Sequence, residues 1–321
     1  MALSWLAVEI AEPNMSWLKV TDYQHPEGWA DRNNHDELAR QCCRQLEQAQ
    51  ILFFDYTPFE LPLEHREFLR SRQRSDSRVH KNVSYRPKGD ALRGYSGDRE
   101  ETAKVRQIMR RYSAEVTRFL SEFLSPYAPH WMIDFASYRP LEEEGRHLPL
   151  HKRNDLLHVD AFPSRPTKGG RILRVFTNLH PVKARVWITT DRFDVLAQRF
   201  GFAAGLKQIA EGAASSGFLR RGVRSLLNAV GLPDRSAYDL FMLRFHDYLK
   251  ENSEFQNSCR KIRLEFPPNS TWIVFTDAVP HAVLSGQFAL EHTYIVPVDE
   301  LVSPEHAPIR VLESLCGTSL S

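Results

Sequence analysis

The chain has 321 residues, of which 42% are hydrophobic, and its 42 basic and 40 acidic side chains give a formal net charge of +2. Its 19 Phe, 10 Tyr and 6 Trp exclude an intrinsically disordered protein and allow a large buried core. The longest purely apolar stretches are far shorter than the ~20 residues that a membrane-spanning helix requires. An integral membrane protein is therefore not expected.

The N-terminus and the cysteines favour a cytoplasmic location. Residues 1–12 have an apolar start but no basic segment, and they include Glu9 and Glu12, which argues against a secretory signal. The chain has only 4 cysteines, irregularly spaced, which is too few for a disulfide framework or a zinc site. We expect the adjacent Cys42 and Cys43 to be ordinary helix residues.

The small net charge conceals two asymmetries. Arginine supplies 32 of the 42 basic residues, and its planar guanidinium suits carboxylates and phosphates. Residues 61–118 contain 15 Arg or Lys against 8 Asp or Glu, in a chain that is otherwise slightly acidic. This region either binds an anionic partner or forms a solvated helical surface with internal salt bridges.

The first third of the chain has mainly helical patterning. Apolar residues recur at helical spacing over residues 36–49 and over residues 99–124, where two prolines follow shortly afterwards. Between these helices, the short apolar run at residues 50–54 predicts a strand.

From residue 131 the pattern changes to short β-prone runs separated by Pro, Gly and Asn. The predicted strands cover residues 131–138, 171–179, 185–190, 261–266, 271–275 and 288–296. A block with helical patterning interrupts them, with predicted helices at residues 195–213, 218–230 and 237–250.

Together these elements predict an α+β fold with a double-stranded β-helix core, that is, a cupin-like jelly roll. The core would comprise residues 131–192 and 259–297. A helix-rich part, residues 1–130, would precede it, and residues 193–258 would form a helical insertion. We expect residues 1–321 to form a single domain.

A candidate metal site lies beside two of the predicted strands. His158 and Asp160 stand two residues apart, so in an extended segment both side chains project from the same face. His281 follows the strongly β-prone strand at residues 271–275. Two histidines and one carboxylate form the facial triad that binds Fe(II) and leaves open positions. Such a site can bind 2-oxoglutarate and O2, and it needs no catalytic acid or base from the protein.

Arg171 and Arg174 lie on the strand after this motif, where burial is costly unless the guanidinium meets an anion. Their odd spacing allows only one of them to face inward from a regular strand. Both faces of the strand carry apolar neighbours, so alternation alone does not choose between the two.

Long ungapped segments resemble the Kdo hydroxylase family. They are residues 157–166 (LHVDAFPSRP), 170–178, 185–187, 81–85 (KNVSY), 238–247 and 276–287 (TDAVPHAVLSGQ). The resemblance extends over residues 34–297 and is much more specific than the His158-x-Asp160 pattern alone.

The resemblance implies an Fe(II)- and 2-oxoglutarate-dependent dioxygenase of Gram-negative bacteria. Its substrate would be 3-deoxy-D-manno-oct-2-ulosonic acid (Kdo), hydroxylated at the 3-position within the lipopolysaccharide inner core. By this likeness His158, Asp160 and His281 are the iron ligands and the catalytic centre, O2 is the oxidant and ascorbate the reductant. The protein would act on Kdo-lipid A at the cytoplasmic face of the inner membrane; the partner is a glycolipid and not nucleic acid, and a homo-oligomer is allowed.

The position of the 2-oxoglutarate anchor departs from a common pattern. Many related oxygenases have an arginine about ten residues after the distal histidine, whereas this chain has Leu-Glu-His-Thr at residues 290–293. Another branch takes a basic residue from the strand that follows the H-x-D motif. Arg174 lies 16 residues after His158 and Arg171 lies 13 after it, so we favour Arg174 and keep Arg171 as the alternative.

The basic regions are candidates for binding an anionic glycolipid. Lys81, Asn82, Tyr85 and Arg153 are predicted substrate contacts. The basic run at residues 66–81, with Arg146 and Lys152, would extend this surface. The predicted helix at residues 218–230 has an apolar and an arginine-rich side, which fits either an anionic membrane interface or packing onto the core.

Two further interpretations of the function remain at this stage. The same oxygenase chemistry would serve a protein side chain or a soluble small molecule. Alternatively, the chain is a non-catalytic lipid A-binding protein on an oxygenase fold, although such a protein has no need of an intact His158, Asp160 and His281.

Overall fold

The computed structural model describes residues 8–9, 17–20, 32–71, 82–215 and 233–321. The helices in this part of the chain are α1 (Arg32–Glu47), α2 (Leu63–Ser71), α3 (Arg99–Phe123), α4 (Phe193–Phe200), α5 (Leu206–Ser215), α6 (Ala237–Glu251), α7 (Ser253–Ser258) and α8 (Pro308–Cys316). The strands are β1 (Val8–Glu9), β2 (Trp17–Val20), β3 (Ile51–Phe54), β4 (Val83–Arg86), β5 (Ala91–Arg93), β6 (Met132–Arg139), β7 (Arg171–Asn178), β8 (Arg185–Thr189), β9 (Ile262–Phe266), β10 (Thr271–Phe275), β11 (His281–Ser285) and β12 (Ala289–Val296).

The strands form a large and a small sheet. Over the described ranges, nine strands make the large sheet in the order β1-β2-β3-β10-β7-β12-β6-β4-β5, and three make the small sheet in the order β11-β8-β9. Neighbouring strands are antiparallel except for the parallel pair β2 and β3. The fold is therefore mixed, with helices around a large and mostly antiparallel sheet.

Aromatic side chains fill the space between the two sheets. Trp187 on β8 lies 5.0 Å from the ring of Phe176 on β7 and 5.5 Å from that of Trp272 on β10. Phe266 on β9 stacks on Trp272 with ring centroids 3.9 Å apart. The two sheets thus face each other across an aromatic core, and such ring pairs stabilise it beyond their area of burial.

The long helix α3 packs against the large sheet through its apolar stripe. Asp98 caps its first turn by accepting a hydrogen bond from the main-chain N–H of Glu101. Further along, Phe119 and Phe123 lie 5.7 and 5.3 Å from the ring of Phe54 on β3. This packing gives the N-terminal third a shared hydrophobic core with the sheets.

Most of the predicted elements are confirmed to within one or two residues. These are α3, α6, β3, β6, β7, β8, β9, β10 and β12. Helix α1 begins four residues earlier than the apolar pattern indicated. Cys42 and Cys43 lie in this helix, as predicted, and burial raises the pKa of the Cys42 thiol to about 12.

The structure differs from the sequence-based expectation in several places. The single helix expected at residues 195–213 is two helices, α4 and α5, because the chain turns at Gly205, whose φ of +95° favours glycine. Helices α2, α7 and α8 and strands β1, β2, β4, β5 and β11, all short, were not predicted. Strands β4 and β5 form a hairpin whose turn contains Gly89 (φ +95°) and Asp90 (φ +49°). The helix expected at residues 218–230 lies outside the described residues.

The block between β8 and β9 is helical, as the sequence predicts, and comprises α4 to α7 within the described residues. Its helix α6 begins with a capping box in which Ser236 and Asp239 exchange side-chain and main-chain hydrogen bonds. Among the residues with a described position, no helix combines the length and the hydrophobicity needed to cross a bilayer.

Candidate metal centre

His158 and His281 meet through a main-chain bridge. The N–H of His158 donates to the carbonyl of His281 at 3.1 Å, and the N–H of His281 donates back at 2.9 Å. Asp160 is fixed on the same segment because its N–H donates to the carbonyl of Thr276 at 2.9 Å. Three side chains that are distant in sequence are thereby held at one end of the small sheet.

The three side chains have the arrangement of a metal site. One donor atom from each of His158, Asp160 and His281 lies within 4.8 Å of the others. His158 Nε2 is 3.9 Å from Asp160 Oδ1, and the two imidazole centroids are 4.8 Å apart. Two neutral imidazoles and one carboxylate on adjacent corners form the set that binds Fe(II) in oxygenases.

Main-chain carbonyls orient both imidazoles. His158 Nδ1 donates to the carbonyl of Leu156 at 2.7 Å, and His281 Nδ1 donates to that of Val279 at 2.9 Å. Since a carbonyl only accepts, each Nδ1 carries the proton and each Nε2 presents its lone pair to the shared centre. Each ligand is therefore in the tautomer that a metal requires.

Two aromatic rings hold these imidazoles in position. The indole of Trp187 stacks on His281, with centroids 4.9 Å apart and planes inclined by 21°. His246 on α6 meets His158 edge-on at 4.9 Å, and its Nδ1 donates to the carbonyl of Val159 at 2.8 Å. The small sheet and the helical insertion therefore both support the candidate ligands.

The electrostatic environment favours the ligating protonation states. Burial holds the pKa of His158 well below its ordinary value and lowers that of His281, so both are neutral at neutral pH. Burial on its own would raise the pKa of Asp160, but the positive charge of Arg174, acting together with His281, His158 and a hydrogen bond from Thr276, outweighs this effect and lowers it. The carboxylate is therefore ionised.

Arg174 and Arg171 lie in different environments. Nη1 of Arg174 is 3.2 Å from both Asp160 Oδ2 and Glu291 Oε1, beside the candidate ligands. Arg171 is fully buried, and its Nε donates to Asp277 Oδ2 at 2.8 Å. Arg174 therefore lies beside the candidate metal centre, whereas Arg171 forms a buried ion pair with Asp277.

A cavity of about 780 Å³ opens over the three candidate ligands. The basic side chains that line it are Arg139, Arg146, Lys152, Arg174, Arg185 and Lys250. Asp160 and Asp247 are the acidic side chains among its lining residues. The cavity is therefore suited to anionic molecules, whose carboxylates pair well with guanidinium and ammonium groups.

Of the four predicted substrate contacts, the structure places only Asn82 in the lining of this cavity. Asn82 lines it, and its Oδ1 has no hydrogen-bond partner within the described part of the chain. Tyr85 is buried and donates its hydroxyl hydrogen to Asp90, so it does not line the cavity. Arg153 pairs with Asp155 in an adjacent cleft. Lys81 lies outside the described residues.

Of the remaining basic residues of the expected docking surface, some line the cavity and others do not. Arg146 and Lys152 line the cavity. Arg66 instead donates to the carbonyl of Leu61 and to Asn269, and the run that follows it, residues 72–81, lies outside the described residues. The cavity is basic mainly because of residues on the sheets and on the helical insertion.

Several cavity residues were not identified from the sequence. Arg139 on β6 is partly buried beside Glu291, and Arg185 on β8 is buried beside Glu143. His246 and Lys250 come from α6, where their spacing of four residues placed them on one helical face. That spacing was a usable signal, but without the fold nothing in the sequence related this face to His158.

Comparison of the sequence with models of known protein families identifies its relatives. The model for 3-deoxy-D-manno-oct-2-ulosonic acid (Kdo) hydroxylase matches residues 29–319, which is nearly the whole chain. The chain belongs to the Kdo hydroxylase family. No protein in the curated set matches it.

Solved structures of the Kdo hydroxylase KdoO are similar to this chain. KdoO is described as a non-heme Fe(II) α-ketoglutarate-dependent dioxygenase, and its complex with α-ketoglutarate and Fe(III) has 35% identity and a TM-score of 0.76. The match covers 89% of this chain and 92% of KdoO. A complex with cobalt(II) gives the same identity and coverage with a TM-score of 0.77, and the apo structure gives 0.76.

Proposed function

We propose that this protein is an Fe(II)- and 2-oxoglutarate-dependent dioxygenase that hydroxylates Kdo. The observation that carries the proposal is the His158, Asp160 and His281 centre inside a basic cavity, in a chain that belongs to the Kdo hydroxylase family. α-Ketoglutarate is 2-oxoglutarate, so the KdoO complexes support the same co-substrate.

The residues present fit a ferrous ion. Both Nδ1 atoms are committed to main-chain carbonyls, so His158 and His281 each offer Nε2 alone. Asp160 Oδ2, besides its ion pair with Arg174, has no hydrogen-bond partner in the described part of the chain, and the carboxylate is thus available as a ligand. A site with three protein ligands leaves positions for co-substrate and O2.

When bound, iron and 2-oxoglutarate supply the oxidising chemistry: O2 is consumed, 2-oxoglutarate becomes succinate and CO2, and one oxygen atom enters a C–H bond. The side chains of this protein contribute binding and orientation. Trp187 and His246 restrict the two imidazoles, and the buried position of the ligands beneath the cavity limits access of water.

Arg174 is the residue we propose as the anchor of the far carboxylate of 2-oxoglutarate. It lines the cavity beside Asp160, and its Nε has no partner within the described residues. A guanidinium binds a carboxylate with paired, charge-assisted hydrogen bonds. Arg171, the alternative from the sequence, is already paired with Asp277 in the interior.

The proposed reaction converts Kdo to its 3-hydroxylated form on Kdo-lipid A. Asn82 is our candidate for a contact with a sugar hydroxyl, since it lines a cavity that otherwise offers mainly hydrogen-bond donors and its Oδ1 has no hydrogen-bond partner within the described residues. We retain Lys81 as a further candidate from the sequence. O2 as oxidant and ascorbate as reductant complete the proposed requirements.

The strand order supports a double-stranded β-helix core. Successive strands from β7 to β12 are distributed between the two facing sheets, with β7, β10 and β12 in one and β8, β9 and β11 in the other. We propose that residues 131–192 and 259–297 are this jelly roll, interrupted by the insertion at 193–258. One hydrophobic core includes residues from Val20 to Leu320, in keeping with a single domain over residues 1–321.

The glycolipid substrate suggests where the protein acts. We propose a cytoplasmic enzyme that meets Kdo-lipid A at the inner face of the membrane, without nucleic acid as a partner. Liposome co-sedimentation with and without residues 218–230 tests the membrane contact, and sedimentation velocity tests whether the protein is a homo-oligomer.

The function is tested by the mass of the product. Purified protein is incubated with Fe(II), 2-oxoglutarate, ascorbate and Kdo-lipid A, and the glycolipid is analysed by mass spectrometry. We expect one added oxygen on the Kdo unit, and none with the His158→Ala variant. Succinate formation without oxidation of Kdo contradicts the proposed substrate, and the absence of both products from the wild-type protein contradicts the oxygenase assignment.

A further inference from the structure

Helix α6 of the insertion forms one wall of the metal cavity. Leu243, His246, Asp247 and Lys250 all line this cavity, and their spacing of three, four and seven residues places them on one helical face. His246 holds this face against the metal centre through its contact with His158 and its hydrogen bond to Val159. Lys250 lies one helical turn beyond His246.

Lys250 is a buried cation without a carboxylate partner. It is only 4% exposed, and its Nζ donates one hydrogen bond, 3.0 Å long, to the carbonyl of His151. Within the described ranges, no Asp or Glu oxygen comes within 4.0 Å of this ammonium group. An ammonium group has three N–H donors, so two remain for the contents of the cavity.

The strand arginines of the same cavity differ from Lys250 in this respect. Arg139 pairs with Glu291, Arg174 pairs with Asp160 and Glu291, and Arg185 lies 3.7 Å from Glu143. All three arginines belong to sheet strands. The helix wall therefore carries a cation that no carboxylate of the described residues contacts directly, and a buried charge of this kind is costly unless an anion joins it.

We propose that Lys250 binds the carboxylate of the sugar substrate through its ammonium group. The inference rests on the proposed function and adds the group that recognises the sugar acid. In a 3-deoxy-oct-2-ulosonic acid the carboxylate is carbon 1, and the proposed target is carbon 3, only two bonds away. The residue that holds the carboxylate therefore also determines which carbon faces the metal centre.

The reaction involves three kinds of anion, namely the Kdo carboxylate, 2-oxoglutarate and the phosphates of lipid A, and the position of Lys250 favours the first. Arg174 on β7, which pairs with Asp160, offers a separate site for 2-oxoglutarate. The phosphates of lipid A belong to other sugars, whereas the Kdo carboxylate has to enter the cavity together with the target carbon. Burial lowers the pKa of Lys250 to about 8, against the raising effects of Asp160, Asp247 and Asp155, so the amine is still mostly protonated at neutral pH.

The test compares two ligands and three variants. The ligands are a soluble methyl glycoside of Kdo, which has no phosphate, and the same glycoside with its carboxylate converted to a carboxamide. Their dissociation constants are measured by anaerobic calorimetry on protein loaded with Fe(II) and 2-oxoglutarate. Lys250→Met removes the charge at similar length, and Lys250→Arg retains it. Lys207→Met is the matched control, since Lys207 lies on α5 of the same insertion and its side chain is 72% exposed.

We expect the wild-type protein and Lys207→Met to bind the carboxylate about 10–100-fold more tightly than the carboxamide, as a charged hydrogen bond implies. Lys250→Met should bind both ligands equally and weakly, and Lys250→Arg should recover part of the preference. Uncoupled succinate formation in the absence of sugar should show the same KM for 2-oxoglutarate in all variants.

The inference is overturned if Lys250→Met keeps the wild-type preference for the carboxylate. It is also overturned if this variant instead raises the KM for 2-oxoglutarate, because Lys250 would then hold the co-substrate. A wild-type protein without any carboxylate preference contradicts the inference whether or not the variants fold. In each of these cases the wild-type protein still oxidises Kdo. If the proposed function itself is wrong, the wild-type protein forms succinate but neither binds nor oxidises the sugar.

Discussion

His158 and His281 donate main-chain hydrogen bonds to each other, at 3.1 and 2.9 Å, although 122 positions separate them in the sequence. This bridge joins the segment that carries Asp160 to the first residue of β11. The backbone thus sets the spacing of the candidate ligands before any metal binds. Such preorganisation limits the conformational cost of binding.

The first prediction concerns the three candidate ligands. Replacing His158 or His281 with Ala, or Asp160 with Asn, should weaken Fe(II) or Co(II) binding and lower succinate formation by more than about 100-fold, beyond the effect of losing an outer contact. Metal binding is measured by calorimetry under anaerobic conditions. His151→Ala is the control, because His151 is half-exposed at the cavity rim and pairs with Glu251. Metal affinity that survives loss of either histidine would refute the assigned centre.

The second prediction separates the two arginines of β7. Arg174→Ala should raise the KM for 2-oxoglutarate by about 10–100-fold, because it removes a charged hydrogen-bond donor from the cavity. Arg174→Lys should recover part of the loss. Arg171→Ala should leave this KM within about threefold in the fraction that folds, since Arg171 faces away from the cavity. The reverse pattern would transfer the anchor to Arg171, and a large KM effect only in Arg185→Ala would transfer it to β8.

The third prediction concerns pH. Burial lowers the pKa of both His158 and His281, so the folded protein keeps these imidazoles neutral at pH values where free histidine is protonated. Two histidines titrating at the ordinary value of about 6.5 would lose about tenfold in metal affinity between pH 7.5 and 6.0. We expect Co(II) affinity to change much less over this range and to fall only at lower pH. A tenfold decrease by pH 6.0 would contradict the assigned environment.

The fourth prediction concerns the buried pair Arg171 and Asp277. Asp277→Ala should lower the free energy of unfolding by about 3–5 kcal/mol, because it leaves Arg171 charged and unpaired in the interior. The double variant Arg171→Met with Asp277→Leu should recover much of this loss. The exposed pair Arg263 and Glu265 provides the control, where Glu265→Ala should cost less than about 1 kcal/mol. Urea unfolding followed by circular dichroism measures these differences, and equal losses at the two sites would argue against a structural role for the buried pair.

The sequence predicted β7, β8, β10 and β12 around the site because they alternate with strong turn signals, but it did not predict β11, which begins at His281. The candidate metal ligands could be identified from the sequence because His158 and Asp160 are two residues apart and His281 follows a clear strand. Only the structure shows that Arg174 lines the cavity whereas Arg171 pairs with Asp277 in the interior. Both faces of β7 are buried, so hydrophobic alternation carries no information on which face borders the cavity.

The cavity wall formed by α6 could not be predicted from the sequence pattern. Lys250 lies on a helix whose periodicity was recognised, yet its approach to the metal centre depends on how the insertion packs against a segment some 90 residues earlier. The edge hairpin of β4 and β5 was missed because its strands have only four and three residues. Tyr85 consequently seemed available to substrate, whereas in the hairpin it is buried against Asp90.

The most direct test of the account uses isotopically labelled O2. Wild-type protein with Fe(II), 2-oxoglutarate and Kdo-lipid A is incubated under the labelled gas, and the Kdo unit and the succinate are analysed by mass spectrometry. We predict one labelled oxygen atom in each product, with the label on carbon 3 of the sugar. Labelled succinate formed beside unchanged Kdo would contradict the central claim that this protein is a Kdo hydroxylase.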